Sequence, residues 1–213
     1  MSVTFFFPGA GSFGGETPAG AVLIRYPGRY GRGFGVPAPS FDAVVDACLA
    51  QLARRAGTPP TLVGHSYGAY VAYATAARLG QVAGLVVIGA NAPARHEVAA
   101  DALRDPAGYL QRVDPQALAD VPSPEWRDIV AETTAQDLRL LTEFDPAAVA
   151  PLSCPVLAVR GESDPLTSDE GIGAWRSCTG GAFTARTLPG GHSTVLRDPS
   201  LAPDTLDVEE TAR

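Results

Sequence analysis

Short apolar runs alternate with helical patterns along most of this chain, and this alternation restricts its fold more than any other feature. Each run is rich in Val, Ile, Leu or Phe and stops near Gly or Pro, which is typical of buried β-strands. Such runs predict strands at 3–7, 21–26, 61–63, 84–88, 156–160 and 183–188. Strands that alternate with helices form a parallel sheet covered on both faces. The sequence therefore predicts an α/β fold, a mostly parallel sheet flanked by helices.

Helical patterns fill several of the gaps between these strands. Residues 41–52 place apolar side chains at intervals of three and four, and Ser40 before them is a good N-cap. Residues 67–79 contain small residues that permit close approach to neighbouring elements, and residues 169–178 also predict a helix. Each predicted helix lies between two predicted strands, which supports the same fold class.

One stretch breaks the alternation. Residues 94–151 show no strand pattern and only helical segments, of which residues 123–144 form the longest. A chain of 213 residues is within the usual size of one domain. We therefore predict a single domain, residues 1–213, in which residues 94–151 form a helical lid inserted over the sheet.

Charge and composition exclude several classes of function. The net charge is −7, which argues against non-specific nucleic-acid binding because that needs a basic face. All 16 basic side chains are arginine. The absence of lysine excludes a lysine Schiff base and a P-loop lysine.

The cysteines and apolar runs indicate a reducing compartment without membrane attachment. Three cysteines without a C-x-x-C spacing do not suggest disulfides, and no His/Cys/Asp cluster has metal-ligand spacing. No apolar run approaches the roughly 18 residues of a membrane span, and no basic region precedes the first run as in a signal peptide. We expect a cytoplasmic location, no metal and no cofactor.

Gly64-His65-Ser66-Tyr67-Gly68 is the most specific motif in the chain. It follows a predicted strand and precedes a predicted helix, the context in which G-x-S-x-G presents a nucleophile. The tight turn strains the serine backbone, and glycine at both flanking positions avoids steric clashes. The turn would raise Ser66 Oγ above the sheet, so Ser66 is the predicted nucleophile. The alternative is a glycine-rich turn with an idle serine.

A serine nucleophile needs a base and an acid, expected after later strands in the order Ser, acid, His. His192 follows the last strand, and Asp164 follows the strand before it. Glu162 and Asp169 compete with Asp164, since Glu162 comes directly after the strand and has the longer reach. We predict Ser66, Asp164 and His192 as the catalytic triad.

The other two histidines are given structural roles. His65 adjoins Ser66 but should point away from it and support the turn. His96 lies within the predicted insertion, where a solvated side chain is the simplest expectation. The base should therefore come from His192 alone.

The loop after the first strand admits two interpretations. An oxyanion hole needs a backbone N–H from this loop besides that of Tyr67, and Ala10 is the predicted donor. Residues 9–14 also fit G-x-G-x-x-G, a dinucleotide-binding pattern. Pro18 and Gly20 oppose the helix that would hold a pyrophosphate. The dinucleotide interpretation is kept as a minor alternative.

Six segments taken together carry a family resemblance. They are Phe6-Phe7-Pro8-Gly9-Ala10-Gly11, Tyr26-Pro27-Gly28-Arg29, Gly64-His65-Ser66-Tyr67-Gly68-Ala69, Asp137-Leu138-Arg139-Leu140-Leu141, Asp164-Pro165-Leu166 and Gly190-Gly191-His192. They resemble the type II thioesterases that accompany polyketide synthases and non-ribosomal peptide synthetases, within the α/β-hydrolase superfamily. The Asp137 segment is similar to a lid-helix signature that general lipases lack, and the resemblance covers most of the chain.

The resemblance implies an α/β-hydrolase fold and a specific activity. It implies hydrolysis of aberrant or stalled acyl groups from the phosphopantetheine arm of an acyl or peptidyl carrier protein, in polyketide or non-ribosomal peptide biosynthesis. It also supports the triad and the Ala10 and Tyr67 oxyanion hole. A serine esterase, acyltransferase or cyclase on small free substrates is the alternative, and an oxidoreductase or an inactive binding module is the minor one.

Three departures from the family pattern leave the acyl preference open. The segment between the first two strands is short and lacks the family's first helix. Ser193 and Thr194 follow His192 where the family tends to carry aromatic residues. The family's C-terminal helix looks degraded in residues 200–213.

Overall fold

Six parallel strands form the centre of the part of the chain that the structure describes. The computed structural model describes residues 2–55, 57–119 and 121–203. The strands are β1 (Thr4–Phe7), β2 (Val22–Leu23), β3 (Thr61–His65), β4 (Gly84–Ile88), β5 (Val156–Gly161) and β6 (Phe183–Leu188). They lie in the order β2-β1-β3-β4-β5-β6, and every neighbouring pair is parallel. From β1 the chain first adds β2 on one side and then β3 on the other, so the strand order reverses between β1 and β3. Ligands of such folds bind at this switch point, beyond the carboxyl ends of the strands.

Seven α-helices flank the sheet or lie between its strands along the described part of the chain. They are α1 (Phe41–Ala53), α2 (Tyr67–Leu79), α3 (Ala100–Arg104), α4 (Pro106–Val113), α5 (Gln116–Ala119), α6 (Pro124–Leu141) and α7 (Asp169–Gly173). The sheet contributes to two apolar clusters, a larger one that includes α1 and α2 and a smaller one that includes the 3₁₀ turn Thr194–Arg197. A third cluster lies among α4, α5 and α6. β1, β3 and β4 are buried along their whole length because both faces are covered. The predicted fold class is confirmed.

The helices α3 to α6 connect β4 to β5. α6 packs against α2, α3 and α4, and therefore joins this helical segment to the layer beside the sheet. Its start is fixed locally, because the Ser123 hydroxyl accepts a hydrogen bond from the Trp126 N–H and Pro124 occupies the first turn. Among the described residues of 94–151 no strand occurs, as the sequence predicts.

Element boundaries differ from the sequence predictions at two places. β2 has two residues instead of six: the Ala21 N–H closes a turn onto the Pro18 carbonyl oxygen before it, and β1 ends at Phe7, just after the Ile24 N–H pairs with Phe6. The helix predicted at 169–178 is α-helical to Gly173 and continues as a 3₁₀ helix over Ala174–Cys178. Two glycines in its first five residues weaken the α-helix. Most of the predicted degraded terminus, residues 204–213, lies outside the described residues.

Candidate active site

The turn between β3 and α2 holds Ser66 in a strained conformation. Its φ of 52° and ψ of −121° make it the one non-glycine residue with positive φ in the described part of the chain. A Cβ on Gly64 would lie 2.4 Å from the carbonyl oxygen of Gly68, and one on Gly68 would lie 2.1 Å from that of Phe7. Only glycine fits at either position, so the motif is needed for the turn to form.

His192 and Asp164 form a buried pair beside this turn. The imidazole Nδ1 lies 3.0 and 3.1 Å from the two carboxylate oxygens of Asp164. The Leu166 N–H and the Thr167 hydroxyl also donate to this carboxylate, at 2.9 and 3.1 Å. Asp164 is 3% exposed and His192 is 7% exposed, so both side chains are held by fixed protein groups. Nδ1 carries a proton in this arrangement, and Nε2 is left to act as a base.

The pair shifts the ionisation of both partners. Burial alone would lower the pKa of His192, but the hydrogen bond and charge of Asp164, with the charges of Asp114 and Glu16, raise it. Burial alone would raise the pKa of Asp164, but the hydrogen bond and charge of His192 lower it. Asp164 is therefore ionised near neutral pH, and His192 is a stronger base than a free imidazole.

The competing acids point elsewhere. Glu162 is exposed, and Asp169 is also exposed and forms an ion pair with Arg160 at 2.7 Å. Ser66 and His192 line a common cavity, and no hydrogen bond joins Ser66 Oγ to His192 among the described contacts. Such bonds are often long in the absence of substrate.

His65 and His96 have definite partners. The Nε2 of His65 lies 2.9 Å from the His192 carbonyl oxygen, which can only accept, so Nε2 carries the proton. His65 therefore braces the His192 loop rather than the serine turn, and burial lowers its pKa to about 3. His96 is half-buried and its Nδ1 lies 2.9 Å from the Tyr70 hydroxyl. The expectation of a solvated His96 is therefore wrong, because Tyr70 reaches it from α2.

The loop after β1 is bound on several sides. The Gly11 N–H donates to Asp137 at 2.9 Å, and Arg29 donates to both Asp137 and the Ser12 carbonyl oxygen. The Tyr26 hydroxyl donates to the Pro8 carbonyl oxygen at 3.1 Å. Arg29 and Asp137 are both buried. Two segments of the sequence resemblance therefore meet at this loop, a function of Arg29 and Asp137 that sequence spacing did not reveal.

The predicted oxyanion donors keep their amides available. The described hydrogen bonds use the N–H groups of Gly11, Ser12 and Ser66. They include none from the N–H of Ala10 or from that of Tyr67, the first residue of α2. No helix follows β1 within residues 8–21, so a pyrophosphate would find no helix N-terminus there.

A cavity of about 560 Å³ adjoins Ser66 and His192. The helices between β4 and β5 supply apolar walls that include Tyr109, Leu110 and Trp126. Ile129 and Leu141, which are apolar residues of α6, do not line it. Its size and mixed lining are typical of a small-molecule site.

Two carboxylates near His192 were missed by sequence reasoning. Glu16 and Asp114 line the cavity, and the buried Ser193 hydroxyl donates to Asp114. Burial, followed by the charge of Asp114, raises the pKa of Glu16 from 4.5 to about 7. Neither residue belongs to a recognisable motif, so no sequence signal indicated them.

Residues 2–55, 57–119 and 121–203 contain neither a metal-binding cluster nor a membrane-spanning helix. No group of three or more His, Cys, Asp or Glu side chains is arranged to hold a metal ion. None of the helices there has the length and apolar character needed to cross a membrane.

A parallel six-stranded sheet with flanking helices and a serine at the β3–α2 turn defines an α/β hydrolase. The family model described as "Thioesterase domain" matches residues 15–206, and the chain belongs to that family. This match and the two solved structures described next confirm the predicted likeness to the type II thioesterases of polyketide and non-ribosomal peptide systems.

Two solved structures are similar over almost the whole chain. RedJ, a thioesterase from the prodiginine biosynthetic pathway in Streptomyces coelicolor, is 27% identical with a TM-score of 0.82, over 93% of this chain and 85% of RedJ. BorB, the type II thioesterase from the borrelidin biosynthetic cluster, is 25% identical with a TM-score of 0.79, over 92% of this chain and 87% of BorB.

Curated relatives include proteins much longer than this chain. The AMB antimetabolite synthetase AmbE of Pseudomonas aeruginosa is 32% identical over 88% of this chain, which spans 9% of AmbE. A probable cadicidin biosynthesis thioesterase of Streptomyces griseus is 28% identical over 90% of this chain, which spans 54% of that protein.

Proposed function

We propose that this chain is a serine thioesterase that removes acyl groups from the phosphopantetheine arm of a carrier protein. The observation that carries the proposal is the buried Asp164–His192 pair, whose imidazole lines one cavity with the strained Ser66. Relatives named as thioesterases of biosynthetic pathways support the substrate class. Acyl chains in such pathways are attached as thioesters.

In the acylation step, Ser66 Oγ attacks the thioester carbonyl carbon while His192 Nε2 takes its proton. Asp164 holds the Nδ1–H tautomer and stabilises the imidazolium that forms. The amides of Ala10 and Tyr67 would bind the oxyanion, aided by the N-terminus of α2. The C–S bond then breaks, and the thiolate leaves with the proton from His192.

In the deacylation step, His192 takes a proton from a water molecule that attacks the acyl-enzyme ester. The tetrahedral intermediate collapses, the proton returns to Ser66 Oγ, and the carboxylic acid leaves. Another nucleophile in place of water would give acyl transfer or cyclisation. The walls of the cavity decide which nucleophile reaches the ester.

We further propose that residues 94–151 act as a lid within a single domain, residues 1–213. Helices of this segment wall the cavity, and α6 also carries Asp137, which binds the loop after β1. A change in α6 would therefore alter both the cavity wall and the proposed oxyanion hole.

Covalent labelling with a fluorophosphonate tests the nucleophile. We expect one label on the protein, lost in Ser66→Ala and retained in Ser177→Ala, a matched change of an exposed serine. A label that persists in Ser66→Ala would refute the assignment.

Thioester hydrolysis tests the substrate class. We expect a higher kcat/KM for an acyl group on a carrier protein than for the same acyl group on a simple alcohol, because the relatives are thioesterases. Faster turnover of the ester would favour a free-substrate esterase, and release of acyl esters or lactones would favour transfer or cyclisation.

A further inference from the structure

Asp114 occupies a position where a carboxylate is unfavourable for the fold. It is 7% exposed, and burial of a charge costs free energy. It lies at the junction of α4 and the short helix α5, within the wall of the cavity beside His192. Glu16 faces the same region, and the negative charge of Asp114 contributes to the raised pKa of Glu16. A carboxylate that is buried near a second carboxyl group requires a hydrogen-bond donor of its own.

The group that offsets these contributions is Ser193, the residue after His192. Its hydroxyl donates to Asp114 Oδ2 at 2.5 Å, and Ser193 is itself 4% exposed. The backbone of Asp114 is also fixed, because its N–H donates to Leu110 and its carbonyl oxygen accepts from Ala117. Asp114 therefore joins the rigid α4–α5 junction to the loop that carries His192.

We propose that Asp114 is a positioning residue for His192, which it serves through the Ser193 hydrogen bond and through its negative charge. The bond fixes the loop that aims Nε2 at Ser66, and the charge stabilises the imidazolium of the acylation step. Glu16 also stabilises the imidazolium, but only at pH values at which its carboxyl group is ionised. This inference rests on the proposed thioesterase mechanism and adds a residue from the proposed lid to it.

The charged and titratable groups that face His192 come from several elements. Asp164 follows β5, His65 ends β3, Asp114 follows α4 and Glu16 lies between β1 and β2. Arg197 acts on Glu16 with the opposite sign. Because Asp164 contacts the imidazole directly, Asp114 acts as a secondary charge, and its removal should lower rather than abolish the basicity of His192.

The test is the pH dependence of kcat/KM between pH 5 and 9, measured with one acyl thioester of a small soluble thiol. Asp114→Asn keeps an oxygen acceptor for Ser193 but removes the charge. In this variant we expect the acid limb of the kcat/KM–pH profile to shift to lower pH by about half a unit or more, because the His192 imidazolium loses its proton more easily. We expect a fall in plateau kcat of about 3- to 10-fold, because the imidazolium is less stabilised.

Two matched variants separate charge from geometry. Asp101→Asn, on α3 and paired with Arg112 at the surface, should leave the acid limb in place. Ser193→Ala keeps the Asp114 charge and frees the loop, so kcat should fall while the pKa of the acid limb stays near its original value. If Asp114→Asn does not fold, as judged by circular dichroism, Ser193→Ala carries the test.

The outcomes distinguish this inference from the proposed function. An acid limb that Asp114→Asn leaves unmoved, or a Ser193→Ala variant with wild-type kcat, would overturn the role of Asp114. Wild-type protein without thioesterase activity would overturn the proposed function itself. The NMR titration of the His192 imidazole in wild type and Asp114→Asn gives the same shift without reference to activity.

Discussion

At the scale of single residues, burial determines the chemistry around His192. Asp164 is nearly enclosed and receives three hydrogen bonds, whereas Glu162, two residues earlier in the chain, is exposed. The two carboxylates therefore differ in what they can do for an imidazole. Only Asp164 is placed to hold the tautomer that leaves Nε2 free.

Substitution of Asp164 and of Glu162 should have different effects on turnover. Asp164→Asn should lower kcat by roughly 10⁴, because the amide favours the wrong tautomer of His192. KM should change little, since substrate binding does not use this pair. Glu162→Gln is the matched control and should keep wild-type turnover in a steady-state thioesterase assay. A large loss in Glu162→Gln alone would transfer the role of the acid to that residue.

Glu16 gives a prediction about stability and pH. Its pKa is about 7 in the folded protein and 4.5 in its ordinary state, so the folded state binds the proton more tightly. The stability linked to this proton is complete below pH 4.5 and is lost as the pH rises through 7. Glu16→Gln should avoid the loss and gain on the order of 2–3 kcal/mol relative to wild type between pH 4.5 and 8.

Urea unfolding at several pH values measures this difference. Glu162→Gln, an exposed carboxylate, serves as the control and should show no comparable gain. A constant difference between Glu16→Gln and wild type across the range would show that the carboxyl group is not held protonated.

At the scale of elements, α6 connects the proposed lid with the loop after β1. Asp137 projects from its last turns and accepts hydrogen bonds from Gly11 and Arg29. Arg29 also lies over the rings of Phe13 and Tyr26, each 5.4 Å from its guanidinium carbon. A buried cation so placed fixes three segments of the chain relative to one another.

Removal of Asp137 should therefore affect stability and catalysis together. Asp137→Ala leaves Arg29 buried without its partner, and we expect a loss of about 3–5 kcal/mol in unfolding free energy. The Gly11 N–H also loses its acceptor, so the Ala10 amide should shift and kcat fall about 10- to 100-fold. Asp128→Ala, on an exposed position of the same helix, is the control.

Chemical denaturation and steady-state kinetics measure the two effects. A destabilised Asp137→Ala that keeps full kcat below its unfolding transition would contradict the link to the oxyanion loop. Asp137→Asn, which can still accept from Gly11, should recover part of kcat.

At the scale of the whole molecule, a negative net charge restricts how a carrier protein can approach. The chain carries −7, so an acidic partner has to meet a local basic patch. Arg95, Arg104, Arg112 and Arg127 lie within the proposed lid and are candidates for such a patch. Arg95 and Arg112 are engaged in ion pairs with Glu170 and Asp101. Arg104 and Arg127 form no ion pair among the described contacts and are the better candidates.

Reversal of these two charges should weaken carrier binding selectively. Arg104→Glu with Arg127→Glu should raise KM several-fold for a carrier-bound acyl group and leave the same acyl group on a small thiol nearly unchanged. Arg54→Glu is the control. Arg54 lies at the end of α1, just before β3 begins, and so near the amino ends of the strands, away from the cavity. The comparison uses one acyl chain at fixed ionic strength.

Equal effects on both substrates would place these arginines in catalysis or folding rather than in docking. No effect on either would exclude this face as the carrier-binding surface.

The sequence alone determined the strands of the sheet, the turn between β3 and α2 that carries Ser66, and the order of the proposed triad along the chain. Periodicity and glycine placement are local properties, so strands such as β3 and helices such as α2 could be read from a few neighbouring residues. The position of Ser66 between Gly64 and Gly68 follows from steric limits within one turn. Asp164 and His192 were predicted to meet because side chains that follow parallel strands lie at the carboxyl ends of the sheet.

Only the tertiary structure decided which groups surround these residues. The contacts of Asp137 with Gly11, and of Asp114 with Ser193, join residues 126 and 79 positions apart, a separation at which sequence spacing carries no signal. Burial raises the pKa of Glu16, and the carboxylates around His192 raise the pKa of its imidazole against burial. Both effects depend on groups that are distant in sequence and meet only in the packed chain.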